Sequence, residues 1–335
     1  MNSLSLGDLA NSFMLQNRGS SLKTEMARLT QELASGQVSD VKSVLEGNYS
    51  YLTDIQTGLT GLEGYKTTTT EAKIFAQSIQ SVLGNLQDNV GDLGSDLILA
   101  ASDVSIDTVS EQSSREAFEV LKSTISSLNI NVAGRSLFSG AATDRAALGT
   151  ADELMTELRA VVTGVIGPDA KLSAVQDWFD DPLGFEATLY KGSDTELSPF
   201  QLSKTEEVSL GVRAVDPELK DAMRTLAIAA LSGDDALTMD ATERKALLQA
   251  AGDGMLQNQT DLTALRARVG YAEARIETVT IGNASEKLSL EYAKGALLGA
   301  DPYDTATRLE EVQFQLQSLY AVTVKASQLS LVNFL

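Results

Sequence analysis

A long apolar stripe near the end of the chain constrains the fold most. Leu262, Leu265, Val269, Ala272, Ile276 and Val279 alternate three and four residues apart, the spacing of a coiled-coil seam. The stripe belongs to a periodic stretch over 242–298. It predicts a helix from about 253 to 298 that spans roughly 65–70 Å at ~1.5 Å per residue. Gly299, Ala300, Asp301 and Pro302 end it, because proline cannot extend the hydrogen-bond ladder.

Such a seam needs a partner, and the first half of the chain supplies one. Between 55 and 99 the apolar positions Ile55, Leu59, Leu62, Ala72, Phe75, Ile79, Val82, Leu86 and Val90 mark a second long helix. Gly58, Gly61 and Gly64 interrupt it on one face. They read as local weakness, each costing roughly 1 kcal/mol against alanine. Asp107 or Ser110 can cap a further helix that runs through Phe118, Leu121, Ile125 and Leu128.

The two chain ends carry stripes of their own. Leu22, Met26, Leu29 and Leu33 precede a stop at Gly36, and Leu6, Leu9 and Phe13 begin the pattern upstream. Leu309, Val312, Leu316, Leu319, Val322, Ala326 and Leu329 repeat it at the other end, before a final apolar run that includes Leu331 and Phe334.

The middle differs. Residues 152–166 read as helix, broken at Gly167-Pro168. Segments 185–190, 200–202 and 208–215 favour short strands, and a helix over 218–231 leads back out. The expected fold class is mainly α. Both chain ends form a long antiparallel helical rod or bundle, with a small mixed α/β domain inserted in the middle. The boundaries are 1–40 for an N-terminal assembly helix, 41–150 for the first half of the rod and 151–245 for the insert. The second half of the rod takes 246–300 and a C-terminal assembly helix takes 301–335.

Composition narrows the function. The 335 residues contain no Cys and no His, which excludes disulfides, thiolate or imidazole metal sites, and catalysis by a His base or Cys nucleophile. The net charge of -20 repels nucleic acid and anionic membrane surfaces alike. Residues 1–35 sum to zero and 303–335 to -1, so the middle holds -19. Near-neutral ends can pack at high density, while an acidic middle suits water. The first residues have no basic start or long apolar run, unlike a cleaved Sec signal.

Each terminal stripe is about as long as a helix that is marginal alone in water. Burying about eight such side chains is worth on the order of 10–20 kcal/mol before ordering entropy is subtracted. One reading makes the ends loose in the monomer and ordered on head-to-tail assembly into a ring or helix. The other pairs them within one monomer, as in an ordinary bundle.

Three segments carry a family resemblance. Leu29-Thr30-Gln31-Glu32-Leu33-Ala34-Ser35-Gly36 resembles the L-x-x-E-L-x-S-G segment of flagellins and flagellar hook-associated proteins. The run from Asn131 to Gly140 resembles their N-x-x-G-x-x-L/I-F-S/G-G stretch, and the segment from Ala306 to Leu335 resembles their C-terminal helix. Nothing within 150–245 matches. Residues 37–44 lack the N-x-A-x-D-D-x-A-G run of flagellins, and the Leu-Phe-Ser-Gly form points to members at the hook–filament junction.

The resemblance implies a structural, non-enzymatic, extracellular subunit exported through the flagellar type III apparatus without a cleaved signal. It implies self-assembly, a neighbouring hook-associated protein and flagellin as partners, and an export chaperone on the C-terminal helix. No cofactor is expected, and the net charge of -20 speaks against nucleic-acid and membrane partners. A filament subunit, a soluble coiled-coil scaffold and a hydrolase using acidic residues are the alternatives. The assembly interface is assigned to Leu22, Met26, Leu29, Leu33, Leu309, Val312, Leu316, Leu319, Val322, Leu329, Leu331 and Phe334. The seam from Leu262 to Val279 is assigned to the rod. No catalytic or metal residue is assigned. The Asp177, Asp180 and Asp181 cluster lacks EF-hand spacing and reads as an acidic surface turn. Asp88, Asp92 and Asp96 read as a solvated helix face.

Overall fold

The computed structural model describes residues 3–102 and 107–332. Its helices are α1 (Ser3–Ser35), α2 (Val41–Val44), α3 (Ser50–Ser102), α4 (Asp107–Leu128), α5 (Ala151–Val162), α6 (Pro168–Asp180), α7 (Pro217–Ser232), α8 (Ala241–Leu298) and α9 (Pro302–Val332). Four two-residue strands complete it: β1 (Asn131–Val132) pairs with β2 (Arg135–Ser136), and β3 (Phe200–Gln201) with β4 (Glu207–Val208), both antiparallel. The chain divides into two compact units, one of residues 63–283 and one of 1–62 with 284–335.

In the 63–283 unit, α3 and α8 run antiparallel. Lys73 pairs with Glu277 at 2.7 Å, the Gln80 amide donates to the Arg266 carbonyl at 2.7 Å, and the Gln87 amide donates to Thr263 Oγ1 at 2.8 Å. Partner numbers fall along α8 as they rise along α3. Leu262, Leu265, Val269, Ala272 and Ile276 are buried in the core these helices share, and Val279 packs half-buried against it. The same core takes in Leu219, Met223 and Leu226 of α7 and Leu154 and Leu158 of α5.

The buried residues of the 151–245 segment lie in one apolar cluster with those of α3 and α8, within the 63–283 unit. The segment is more helical than expected. Residues 185–190 form no strand: Phe185 lies within a π-turn at Pro182–Glu186, and Tyr190 makes only an isolated bridge to Leu148. The 208–215 strand stops after Val208. A stacked and edge-on cluster of Trp178, Phe179 and Phe185, with centroids 5.0–6.1 Å apart, holds the turn instead. α5 opens on a capping box between Thr150 and Glu153.

The run from Asn131 to Gly140 now has a physical account. Ala133 and Gly134, both at positive φ (52° and 83°), make the tight turn of the β1–β2 hairpin. Gly140, at φ 62°, lies so close to the Ser193 and Thr195 carbonyls that a Cβ would fall 2.6 and 2.5 Å from them.

Candidate assembly interface

The unit of 1–62 and 284–335 is built on α1 and α9, which pack along one another. An added Cβ at Gly19 would lie 3.4 Å from Leu319, and Lys23 Nζ stands 5.9 Å from the Tyr320 ring centre. Near the other end of α1 the backbone at Gly36 meets that at Ala300. The pair is therefore antiparallel, with both chain ends directed the same way.

The seam of this pair contains most of the residues assigned to assembly. Leu29 is 1% exposed and Val312 9% exposed, while Leu22, Met26, Leu309, Leu316 and Leu319 are half-buried. Pairing within one chain thus accounts for their burial, and α1 and α9 are already helical in the single chain. Leu33 and Val322 stay exposed. Leu329 and Leu331 lie in the last turns of α9, beyond the described side chains, and Phe334 lies outside the described residues.

A backbone clasp fixes the base of the pair. Gly36, at φ 68°, turns the chain out of α1. The Val38 N–H then donates to the Leu298 carbonyl at 2.9 Å, and the Ala300 N–H donates to the Gly36 carbonyl at 3.0 Å. Asp301 Oδ1 caps α9 by accepting from the N–H groups of Tyr303 (2.8 Å) and Asp304 (3.2 Å). Glu32 is the pivot. Only 4% exposed, it accepts from Arg28 Nη1 at 2.6 Å and from the Ser39 N–H at 2.8 Å. Arg28 also pairs with Glu25 and, through that hydrogen bond first, lowers the Glu25 pKa. The sequence showed Glu32 only as a letter of a resemblance, since burial of one carboxylate has no periodic signature.

Exposed aromatic side chains on α1 and α9 are the feature that the periodicity did not reveal. Phe314 sits two residues from Val312, which rotates it about 200° around the helix, and it is 71% exposed. Phe13, Tyr303 and Val324 are exposed as well. Every described aromatic of this unit is exposed: Phe13, Tyr49, Tyr51, Tyr292, Tyr303, Phe314 and Tyr320. In the 63–283 unit every Phe and Trp178 are buried or half-buried, while Tyr271 is 77% exposed. Exposed large aromatic side chains are candidates for an interaction surface.

Among the described residues, no group of acidic side chains is placed to hold a metal ion, and no helix is long and apolar enough to cross a membrane. Asp88, Asp92 and Asp96 are all exposed. Asp181 Oδ1 accepts from the Leu183 N–H at 2.9 Å, a turn cap.

Residues 253–335, the last part of α8 and all of α9, match the family described as the bacterial flagellin C-terminal helical region. That match covers about a quarter of the chain, and over it the chain is similar to flagellins. Its fold resembles that of a putative flagellar hook-associated protein from Vibrio parahaemolyticus, at TM-score 0.52 and 13% identity over 73% of this chain and 95% of that one. It also resembles FlgL from Bacillus cereus, at TM-score 0.52 and 14% identity over 72% of this chain and 100% of that one. No curated protein matches the chain in sequence. The mainly helical fold accords with that of these two structures.

Proposed function

We propose that this chain is the subunit that joins hook to filament in a bacterial flagellum, acting mechanically and without enzymatic activity. The observation that carries this is the set of exposed aromatic side chains on the two terminal helices, Phe13 on α1 and Tyr303 and Phe314 on α9. Such side chains gain by burial against neighbouring subunits. The fold likeness to hook-associated proteins favours the junction.

In this reading the α1–α9 pair contacts neighbouring copies, a second hook-associated protein and flagellin. The acidic 63–283 unit faces solvent. Export proceeds without a cleaved signal, with a chaperone on α9 beforehand. The match of 253–335 to a flagellin region favours a second reading, a filament subunit.

Immunogold labelling of intact flagella with antibody to residues 152–245 separates the two. A single band at the hook–filament boundary is expected. Label along the whole filament would make the chain a filament subunit, and absence from flagella would remove both readings.

A further inference from the structure

The 63–283 unit begins on α3 and ends on α8, at the chain divisions 62/63 and 283/284. Lys73 of α3 pairs with Glu277 of α8 at 2.7 Å. Because the helices are antiparallel, residues 64–70 and 278–283 lie on the same side of that pair, next to the two divisions. Both stretches are made of poor helix formers. Residues 64–70 hold Gly64 and four consecutive threonines, Thr67 to Thr70. Residues 278–283 read Thr278, Val279, Thr280, Ile281, Gly282 and Asn283. Glycine ranks near the bottom of the helix scale, and Thr, Val, Ile and Asn rank in its lower half. On the other side of the Lys73–Glu277 pair α8 is rich in Leu, Ala and Arg over 262–268, which are strong formers.

Packing does not account for the two glycines. Both are exposed, and a Cβ added at either would meet nothing within 4 Å. At Gly91 of α3, by contrast, it would lie 3.1 Å from the Gln259 side chain. A helical glycine that admits no neighbour only lowers the cost of leaving the helix. The threonines act in the same direction. Thr68 and Thr70 donate to the carbonyls of Gly64 and Lys66, at 3.3 and 2.7 Å. Thr278 and Thr280 donate to those of Ala274 and Ile276, at 2.8 and 2.7 Å. A hydroxyl bonded to the carbonyl four residues back competes with the helix ladder and eases bending. Both helices nonetheless run unbroken through these stretches.

Weakness on one helix alone would leave its partner as a splint. Here the weak stretches stand at one level on both helices, where the chain divides into two compact units. Hinges are short stretches of this kind that absorb a change of backbone angle between rigid bodies. Above the level, Lys73 with Glu277 and the Gln80 amide on the Arg266 carbonyl tie α3 to α8. We propose that residues 64–70 of α3 and 278–283 of α8 form a two-helix hinge, at which both helices bend together while the ties above hold. The hinge does not depend on the assembly reading. Within that reading, it lets one subunit meet its neighbours at more than one angle.

The chain has no cysteine, so spin labels attach only where one is introduced. Distance distributions by electron spin resonance are compared for two label pairs in the full chain. Asp144→Cys with Thr307→Cys spans the hinge, and Asp144→Cys with Thr260→Cys stays within the 63–283 unit; all three positions are exposed. The pair that spans the hinge should give the wider distribution. Amide hydrogen exchange at 66–70 and 279–283 should run about tenfold or more faster than at 262–276. Gly64→Ala combined with Gly282→Ala puts alanine at two exposed, open helical positions and does not threaten the fold. It should narrow the wider distribution and slow exchange at both stretches about fivefold. Equal widths for the two pairs, exchange at 279–283 as slow as at 262–276, or an unchanged width in the double variant would each overturn the proposal.

Discussion

Gly94 and Gly252 bring the backbones of α3 and α8 into near contact. A Cβ on Gly252 would lie 3.0 Å from the Gly94 carbonyl oxygen and 2.8 Å from Ile98 Cγ1, and one on Gly94 would lie 2.9 Å from Met255 Cβ. Gly64, on the same α3, has nothing within 4 Å of such an atom. Two helical glycines thus have opposite meanings. Gly252→Ala should destabilise the protein by about 1–2 kcal/mol, overpacking outweighing the gain in helix propensity. Gly64→Ala should stabilise by about 0.5–1 kcal/mol. Thermal or denaturant unfolding of the two variants checks both signs, and a stabilised Gly252→Ala would mean that the rods do not meet there.

The seam and the outer face of the terminal pair should also separate on mutation. Leu29→Ala removes a fully buried side chain and should loosen the α1–α9 pair by about 2–4 kcal/mol. Phe314→Ser changes a side chain that is 71% exposed, so its effect on monomer unfolding should stay within about 0.5 kcal/mol. Phe314→Ser should nonetheless abolish incorporation into flagella. Unfolding of the purified chain, combined with motility and incorporation assays, tests the split. Normal incorporation of Phe314→Ser would show that this face is not an assembly surface.

Periodicity made the rods legible because every turn repeats the same requirement. The seam from Leu262 to Ile276 is buried throughout for that reason. The terminal stripes were equally legible as stripes, but not their partner: a seam at Leu29 and Val312 reads the same whether the other helix comes from one chain or two. Gly58 illustrates the reverse failure. It read as a weak point, yet a Cβ there would fall 2.9 Å from Leu290 Cδ1, so it permits close approach. The middle was least legible. Apolar runs such as 185–190 suit strand or buried turn alike, and only packing against Trp178 and Phe179 decided the outcome.

Glu32 should govern the clasp at the base of the terminal pair. Its carboxylate holds Arg28 and the Ser39 N–H from a buried position. Glu32→Ala removes charge-assisted hydrogen bonds worth about 1.5–3 kcal/mol. The expected outcome is local: faster hydrogen exchange at Ser39 and faster proteolysis over 36–40, with little change in exchange at Leu262 or Leu265. Unchanged protection at Ser39 would show that the backbone bonds of the clasp suffice without Glu32.

Lys171 and Glu243 make the sharpest pH prediction. Lys171 is 6% exposed and its ammonium pairs with Glu243 at 2.9 Å, while the Gly167 N–H donates to the same oxygen at 3.0 Å. The hydrogen bond from Lys171 is the main force that lowers the Glu243 pKa below 4.5. The folded state therefore binds this proton less readily than the unfolded state, and stability rises with pH across the interval between the two pKa values. The contribution is present in full above the unfolded value near 4.5 and is lost as pH falls through the lower folded value. Glu243→Gln keeps an acceptor but leaves the buried ammonium without its counter-charge, at a cost of about 2 kcal/mol near neutral pH. The difference in unfolding free energy between wild type and Glu243→Gln should shrink as the buffer is taken from pH 6 to pH 3. A difference that stays constant over that range would show that the pair does not depend on the Glu243 charge.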